Sequence, residues 1–597
     1  MKVAWLLVAA LVSVSTTAMA AEPVSVSVKL PESATTPVRQ GIPPQLDAAQ
    51  RTAYRQVFAS IHAGDWSDAA IELDAMKPGP LHAIARAELY TAKGSPRVDR
   101  DSLIAVLNQA PELPEADQLA RLAKSRGATD DQLPTLPEVH DLNWIPGAPT
   151  RRHVKIDASD AIAAQLQVAM RTFIKNDDGA GAEALLDSTQ GLEGDALTEW
   201  QARVAWIYYL AGDDINAQRL AAKSANSYGD WAVQANWTIG LSAWRQHDCK
   251  AAATAFETVV SRATDVDLRA AGLYWASRAN LMCDRPDLIQ GELTSAAQYK
   301  ETFYGLLARQ ALGITAAEPP RLAENVTEAW ASLDKRPNVR VAAALVEIGE
   351  DELADEVIRH QAQIGDPADY HALVSLAGSL DLPEAELWLA HNGPVGAEPS
   401  MMARYPAPNW TPDGGWRVDK ALVFAHALQE SRFRRDVVSP AGAYGLMQIR
   451  PAAAIDIARA RGQTDQTYDR AALTRPSTNI EIGQSYLEQL RDQPATGGLL
   501  PKVIAAYNAG PVPVAQWNAD TRDNADPLLY IESIPYWETR GYVVSVLRNY
   551  WMYEGEEGKK SPSRAALAQD LWPRFPGLPG PAAVRITANG RALASAD

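Results

Sequence analysis

The sequence predicts an all-α protein built from several domains. Three observations carry this. Between Ala421 and Leu428 the apolar residues Leu422, Phe424, Ala425 and Leu428 recur at helical spacing and form one stripe. Turn signals at Gly212-Asp213, His247-Asp248 and Cys283-Asp284 return about every 35 residues, with small residues after them at Ala217, Ala251 and Ala252. Finally, 597 residues exceed what one hydrophobic core organises, so roughly two to four domains are expected.

Composition narrows the function classes. A hydrophobic content of 47% is ordinary for a globular chain, and a net charge of −17 argues against a general nucleic-acid binder. The acidity is uneven: Thr411 to Lys560 holds 17 Lys and Arg against 18 Asp and Glu, so almost all the excess lies elsewhere.

Residues 1–20 read as a secretory signal. Lys2 is the positive end, Val3 to Val14 the apolar core, and Ala18-Met19-Ala20 the small-x-small cleavage site, so the mature chain begins at Ala21. No Cys follows the cleavage site, so a lipid anchor is not indicated, and no run is long enough to span a bilayer. An exported chain permits a disulfide, and Cys249 and Cys283 are its two cysteines. A bridge between them is preferred over two separate thiols; two cysteines are too few for the usual structural zinc site.

Residues 21–45 are rich in Pro, Ser, Thr and Val and read as an extended segment. Residues 46–318 are assigned to a helical solenoid. There Trp206, Tyr208, Trp237, Trp244, Tyr274 and Trp275 recur with the turns, and the spacing resembles tetratricopeptide-like helix pairs. Such pairs cannot bury their apolar faces alone and must stack. Asp130 to Pro149 is Pro-rich and reads as an irregular connection. Residues 319–408 form a separate helical block, with a Pro- and Gly-rich boundary from Asn392 to Gly415. Residues 409–560 read as helical again, through Ile480 to Leu490, Val503 to Asn508, and Glu538 to Leu547. Residues 561–597 are a Pro-, Gly- and Ala-rich tail with no assigned chemistry.

The stretch that carries chemistry is Ala421 to Arg450. Glu430 closes the apolar helix beside Ser431, where partial desolvation raises a carboxyl pKa toward neutrality. Ser439-Pro440-Ala441-Gly442 is a turn by composition, and Gly445-Leu446-Met447-Gln448 leads into the next helix. Downstream come Asn479-Ile480 with Gly483, Ala506-Tyr507-Asn508-Ala509-Gly510, Glu532-Ser533-Ile534-Pro535, and Glu538 to Val543. In this order and spacing they resemble the catalytic core of the soluble lytic transglycosylases. That family implies a superhelical domain or ring, then a small linker domain, then a goose-lysozyme-like domain.

The resemblance also implies a reaction: non-hydrolytic cleavage between N-acetylmuramic acid and N-acetylglucosamine in peptidoglycan. Glu430 acts first as acid and then as base, and the product ends in a 1,6-anhydro sugar. No cofactor or metal is needed. By family position, Ser439 and Gln448 hold the sugars or the N-acetyl group. Met447 packs beneath them, and Tyr507 donates a hydrogen bond near Glu430 or the acetamido carbonyl. Asn508 fixes the loop, and Glu538 is a second polar contact in the groove. Arg450 departs from the family, where Met is common; it points either to the groove floor or to solvent. The implied location is the periplasm. The implied partners are glycan strands and other cell-wall enzymes, with no nucleic acid. Two alternatives stay open: a hydrolytic goose-type lysozyme using Glu538 as second carboxylate, and a non-catalytic helical-repeat scaffold.

Overall fold

The computed structural model describes residues 41–156, 160–314, 326–463 and 468–586, and the backbone of 592–593. The signal sequence and most of the extended segment lie outside the described residues, as do residues 319–325, where the linker block begins. The described residues form one compact unit.

The described chain is mainly helical with very little strand, as the periodicity predicts. Its turn signals stop one helix and start the next. Gly212 adopts φ 77° after the Gly194–Leu210 helix, and Asp213 then accepts a hydrogen bond from Asn216 N at 3.1 Å to cap Asp214–Ser224. His247 (φ 62°) and Asp248, which accepts from Ala251 N at 3.0 Å, repeat this between Asp230–Arg245 and Cys249–Arg262. At the third signal Asp284 is itself the left-handed residue, and Pro286 opens Pro286–Ala297.

The small residues of the repeats are where helices approach closely. Ala217 and Ala252 are fully buried, and a Cβ on Gly240 would meet the Phe256 ring. Around that contact Trp237 lies edge-on to both Phe256 and Trp275, with centroids 5.3 and 6.4 Å away. Cys249, at the first turn of its helix, is joined to Cys283 at the end of Val266–Met282, with Cα atoms 5.5 Å apart. The bridge clamps neighbouring helices across a separation of 34 residues. Replacing both cysteines with Ala is expected to lower stability by roughly 2–4 kcal/mol, read as a shift in denaturant midpoint.

Hydrophobic packing groups the chain differently from its linear order. Tyr54, Phe58 and Leu107 share one core with Leu345, Ile358 and Leu376. The repeats from Ala163 to Ala308 share a second core with the helices from Ala421 to Leu567. Residues 133–156 run between the two. Asn143–Trp144 pairs antiparallel with Asn392–Gly393, and His140 N donates to Gln363 O at 2.9 Å.

The C-terminal residues form more than a tail. They fold into a helix, Pro562–Leu567, and a small antiparallel sheet of Trp572–Pro573, Ala583–Ile586 and Ala592–Leu593. Trp572 and Phe575 are buried, and Trp572 Nε1 donates to Ala525 O at 2.7 Å. Pro and Gly make the backbone irregular, but two aromatic anchors are enough to fix it. No helix among the described residues is long and apolar enough to cross a membrane.

Candidate active site

Glu430 sits in the last turn of Lys420–Ser431. Asp419 caps that helix by accepting from Ala421 N at 3.0 Å, and Leu422, Phe424 and Ala425 are buried along it. The chain leaves through Arg432 and Phe433, both at positive φ, 54° and 62°. This sharp exit leaves Glu430 half-buried at the helix end. Burial pushes its carboxyl pKa up to about 7; a hydrogen bond from Tyr542 pulls it down, and the nearby charge of Glu538 pushes it up.

Tyr542 is the direct partner. Its hydroxyl lies 2.6 Å from Glu430 Oε1 and 2.8 Å from His426 Nδ1. His426 is fully buried one turn before Glu430, and burial pushes its pKa down to about 3, so the imidazole is neutral. Both Tyr542 and Glu538 come from the helix Trp537–Glu556, Glu538 from its exposed first turn.

The loop after Glu430 is held by its own residues. Ser439 Oγ accepts from Ala443 N at 3.0 Å and closes the turn. Gly442 and Gly445 take φ near 74° and 72°. Asn479 pins the far side: its Oδ1 accepts from Met447 N at 2.8 Å, and its Nδ2 donates to Leu473 O at 2.7 Å and Tyr444 O at 3.0 Å. Met447 is fully buried against Gly483, where a Cβ would collide with the Met447 sulfur.

The structure gives the other expected site residues these partners. Tyr507 does not donate to Glu430; its hydroxyl donates to Met447 O at 2.8 Å, tying the loop to Leu500–Ala509. Tyr542 takes the place expected of Tyr507, because it is the tyrosine whose helix faces the end of Lys420–Ser431. Tyr507 still packs in the cluster, with its ring 4.5 Å from that of His426 and stacked 6.4 Å from that of Tyr542. Gln448, at φ 49°, turns its amide nitrogen back to Gly445 O at 2.8 Å. Asn508 Oδ1 accepts from Thr539 Oγ1 at 2.6 Å, which ties the loop to the helix carrying Glu538. Arg450 is exposed at the start of Pro451–Ala460.

Sequence reasoning missed two residues. Tyr542 stands inside the Glu538 to Val543 motif, on the helix predicted there, with no role assigned to it from the sequence. His426 was legible only as the residue four before Glu430, on the same helix face. Beside Glu538 a cavity of about 520 Å³ opens between the Lys420–Ser431 and Trp537–Glu556 helices and the connecting segment, walled by Trp144, His391, Gln429, Trp537 and Tyr542. It stops short of Glu430.

The comparisons agree with this architecture. Residues 412–529 match the family model described as Transglycosylase SLT domain. The chain is similar to the soluble lytic murein transglycosylase of Salmonella typhimurium, 31% identical over 316 residues, covering 50% of this chain and 46% of that protein. It is also similar to the soluble lytic murein transglycosylase of Escherichia coli K12, 38% identical over 133 residues, covering 22% of this chain and 20% of that one. The matches thus span less than half the length of these curated relatives. The crystal structure of the 70 kDa soluble lytic transglycosylase from Escherichia coli shares the fold, with a TM-score of 0.53 at 18% identity, over 88% of this chain and 99% of that one. Residues 412–529 thus match the Transglycosylase SLT domain, and the chain as a whole shares the fold of the 70 kDa soluble lytic transglycosylase.

Proposed function

We propose that this protein is an exported peptidoglycan lytic transglycosylase with Glu430 as its single acid and base. The observation that carries this is the position of Glu430: a half-buried carboxyl at the end of an apolar helix, its pKa near 7, with a tyrosine hydroxyl on one oxygen. Such a group holds a proton near neutrality and can take it back. Glu430 protonates the glycosidic oxygen as the bond to C1 of the muramoyl residue breaks. The N-acetyl oxygen closes on C1 as an oxazolinium ion. Glu430, now a carboxylate, removes the C6 hydroxyl proton, and that oxygen displaces the acetamido oxygen from C1. The carboxyl ends protonated, no water is consumed, and the product carries a 1,6-anhydro ring.

Ser439, Gln448, Met447, Tyr507 and Asn508 form the sugar-binding side, the last three by holding the loop. On this reading residues 1–20 are removed on export to the periplasm. Residues 46–318, 319–408 and 409–560 act as superhelical, linker and catalytic regions, with the two hydrophobic cores crossing these bounds.

Mass spectrometry of products from purified sacculi tests this. Anhydro ends, one water lighter than reducing ends, are expected. Reducing ends would establish a hydrolase instead, and no release would favour a scaffold.

The pH profile is a separate expected result. Activity falls as pH rises through about 7, because the acid form of Glu430 is lost. Tyr542→Phe removes a bond that favours the carboxylate, so it moves this limb to higher pH. Glu538→Gln removes a like charge and moves it to lower pH. Shifts of the same sign in both variants would contradict the assignment.

A further inference from the structure

The reaction above gives His426 no role, yet it is built into the site. It lies one helical turn before Glu430 and is 0% exposed. Its Nδ1 is 2.8 Å from the Tyr542 hydroxyl, which is in turn 2.6 Å from Glu430 Oε1. Its Nε2 is buried and has no hydrogen-bond partner among the described residues. The other titratable groups facing this trio are Glu538 on the helix of Tyr542, Tyr507 on Leu500–Ala509, and Tyr486 on Pro476–Arg491.

A hydroxyl has one proton to donate, so the Tyr542 proton goes to His426 or to Glu430. If it goes to His426, Nδ1 is the acceptor, and the neutral ring carries its proton on Nε2. That places an N–H in a buried position with no acceptor. If it goes to Glu430, Nδ1–H donates to the Tyr542 oxygen, and Nε2 presents only a lone pair. A buried N–H without a partner is the rarer condition in proteins, and an under-used acceptor is more readily tolerated.

We infer that His426 is a positioning residue whose Nδ1–H commits the Tyr542 hydroxyl to Glu430 Oε1, so that Oε2 carries the acid's proton. This rests on the proposed reaction, in which one oxygen of Glu430 must deliver a proton to the leaving group. Oε1 is occupied as an acceptor, and Oε2 meets no protein donor among the described residues. The imidazole thus removes a choice that the carboxyl would otherwise make at random, and a fixed dipole of this kind needs no reorganisation during the reaction. Because the ring is buried and neutral, the arrangement persists through the pH range in which Glu430 titrates.

Two measurements test this. Long-range 1H–15N correlation spectra of protein labelled at histidine nitrogen report which ring nitrogen is protonated, with His426→Asn identifying the signal. A proton on Nδ1 is expected, and a proton on Nε2 overturns the inference without any variant having to act. Kinetics on soluble glycan strands are the second. His426→Leu is expected to lower kcat about tenfold with KM unchanged, as misorientation does. His426→Asn, whose amide can donate from near the Nδ1 position, is expected to restore most of that loss. In a Tyr542→Phe background, His426→Leu is expected to change kcat by less than about twofold, because the two residues act as one unit. A tenfold loss in that background would mean that His426 only fills space, and it overturns the inference. Wild-type protein that releases no anhydro product removes the proposed function instead, and the spectra still decide the tautomer.

Discussion

Glu430→Gln is expected to abolish cleavage of glycan strands, lowering kcat by about 10²–10⁴-fold, the usual contribution of a general acid–base group. The amide keeps the size of the side chain and can still accept from Tyr542, but it can neither give nor recover a proton. A variant that retains more than about a tenth of wild-type activity would show that Glu430 is not the acid. The same substitution should stabilise the protein in alkali. The folded pKa of Glu430, about 7, lies above its ordinary 4.5. Its contribution to stability is therefore fully present below about pH 4.5 and is lost as pH rises through about 7. The amide does not titrate. At pH 8 the variant should exceed wild type by up to about 3 kcal/mol, and the difference should close toward pH 4. Denaturant midpoints at the two pH values check the sign. A variant less stable than wild type at pH 8 would mean that Glu430 is not held against its own ionisation.

Arg151→Met is expected to cost about 3–5 kcal/mol, the range for breaking a buried ion pair from one side. Arg151 donates to Glu532 Oε2 at 2.7 Å and Oε1 at 3.1 Å, and approaches Asp267 at 3.4 Å. Glu532 is 0% exposed and also accepts from Tyr304 at 2.7 Å. The cluster joins the connecting segment, two repeat helices and the Glu532-Ser533-Ile534-Pro535 motif, whose Ser533 meets Tyr209 at 2.6 Å. Removing the guanidinium leaves the carboxylate buried beside one phenol. Arg151→Met combined with Glu532→Gln should recover at least half of the loss, because the remaining amide carries no charge. A single variant within about 0.5 kcal/mol of wild type, the range of ordinary surface changes, would show that the cluster does not hold the interface. The catalytic helices expressed from about Asn409 onward would lose Arg151, Tyr304 and Tyr209 together, and should be markedly less stable than the same helices in the full chain.

Much of the site was legible in the sequence because its signals are local. The apolar stripe before Glu430 predicted its helix and its desolvation. Ser439 to Gly442 predicted a turn, and the turn is closed by Ser439 itself. Gly483 and Asn479 belong to the motif order, and the structure supplies their reasons: no room beside Met447, and three hydrogen bonds that pin the loop. Tyr507 packs in the expected cluster, and its hydroxyl donates to Met447 O while that of Tyr542 donates to Glu430. Two tyrosines packed side by side are interchangeable to a sequence reading, and which hydroxyl reaches Glu430 depends on the angle between helices.

What the sequence by itself determined was therefore the helical class, the repeat spacing and the place of Glu430 at the end of an apolar helix. Each is written in residues a few positions apart, through helix period, capping and turn chemistry. Tertiary structure alone decided the rest. Tyr542 bonds to Glu430 across 112 residues, Arg151 bonds to Glu532 across 381, and the helices after residue 326 share a core with those before residue 124. No local signal encodes these pairings, because a hydrogen bond or a buried ion pair requires two distant elements to meet within about 3 Å in one orientation. That meeting is set by how apolar faces pack, and packing is a property of the whole chain.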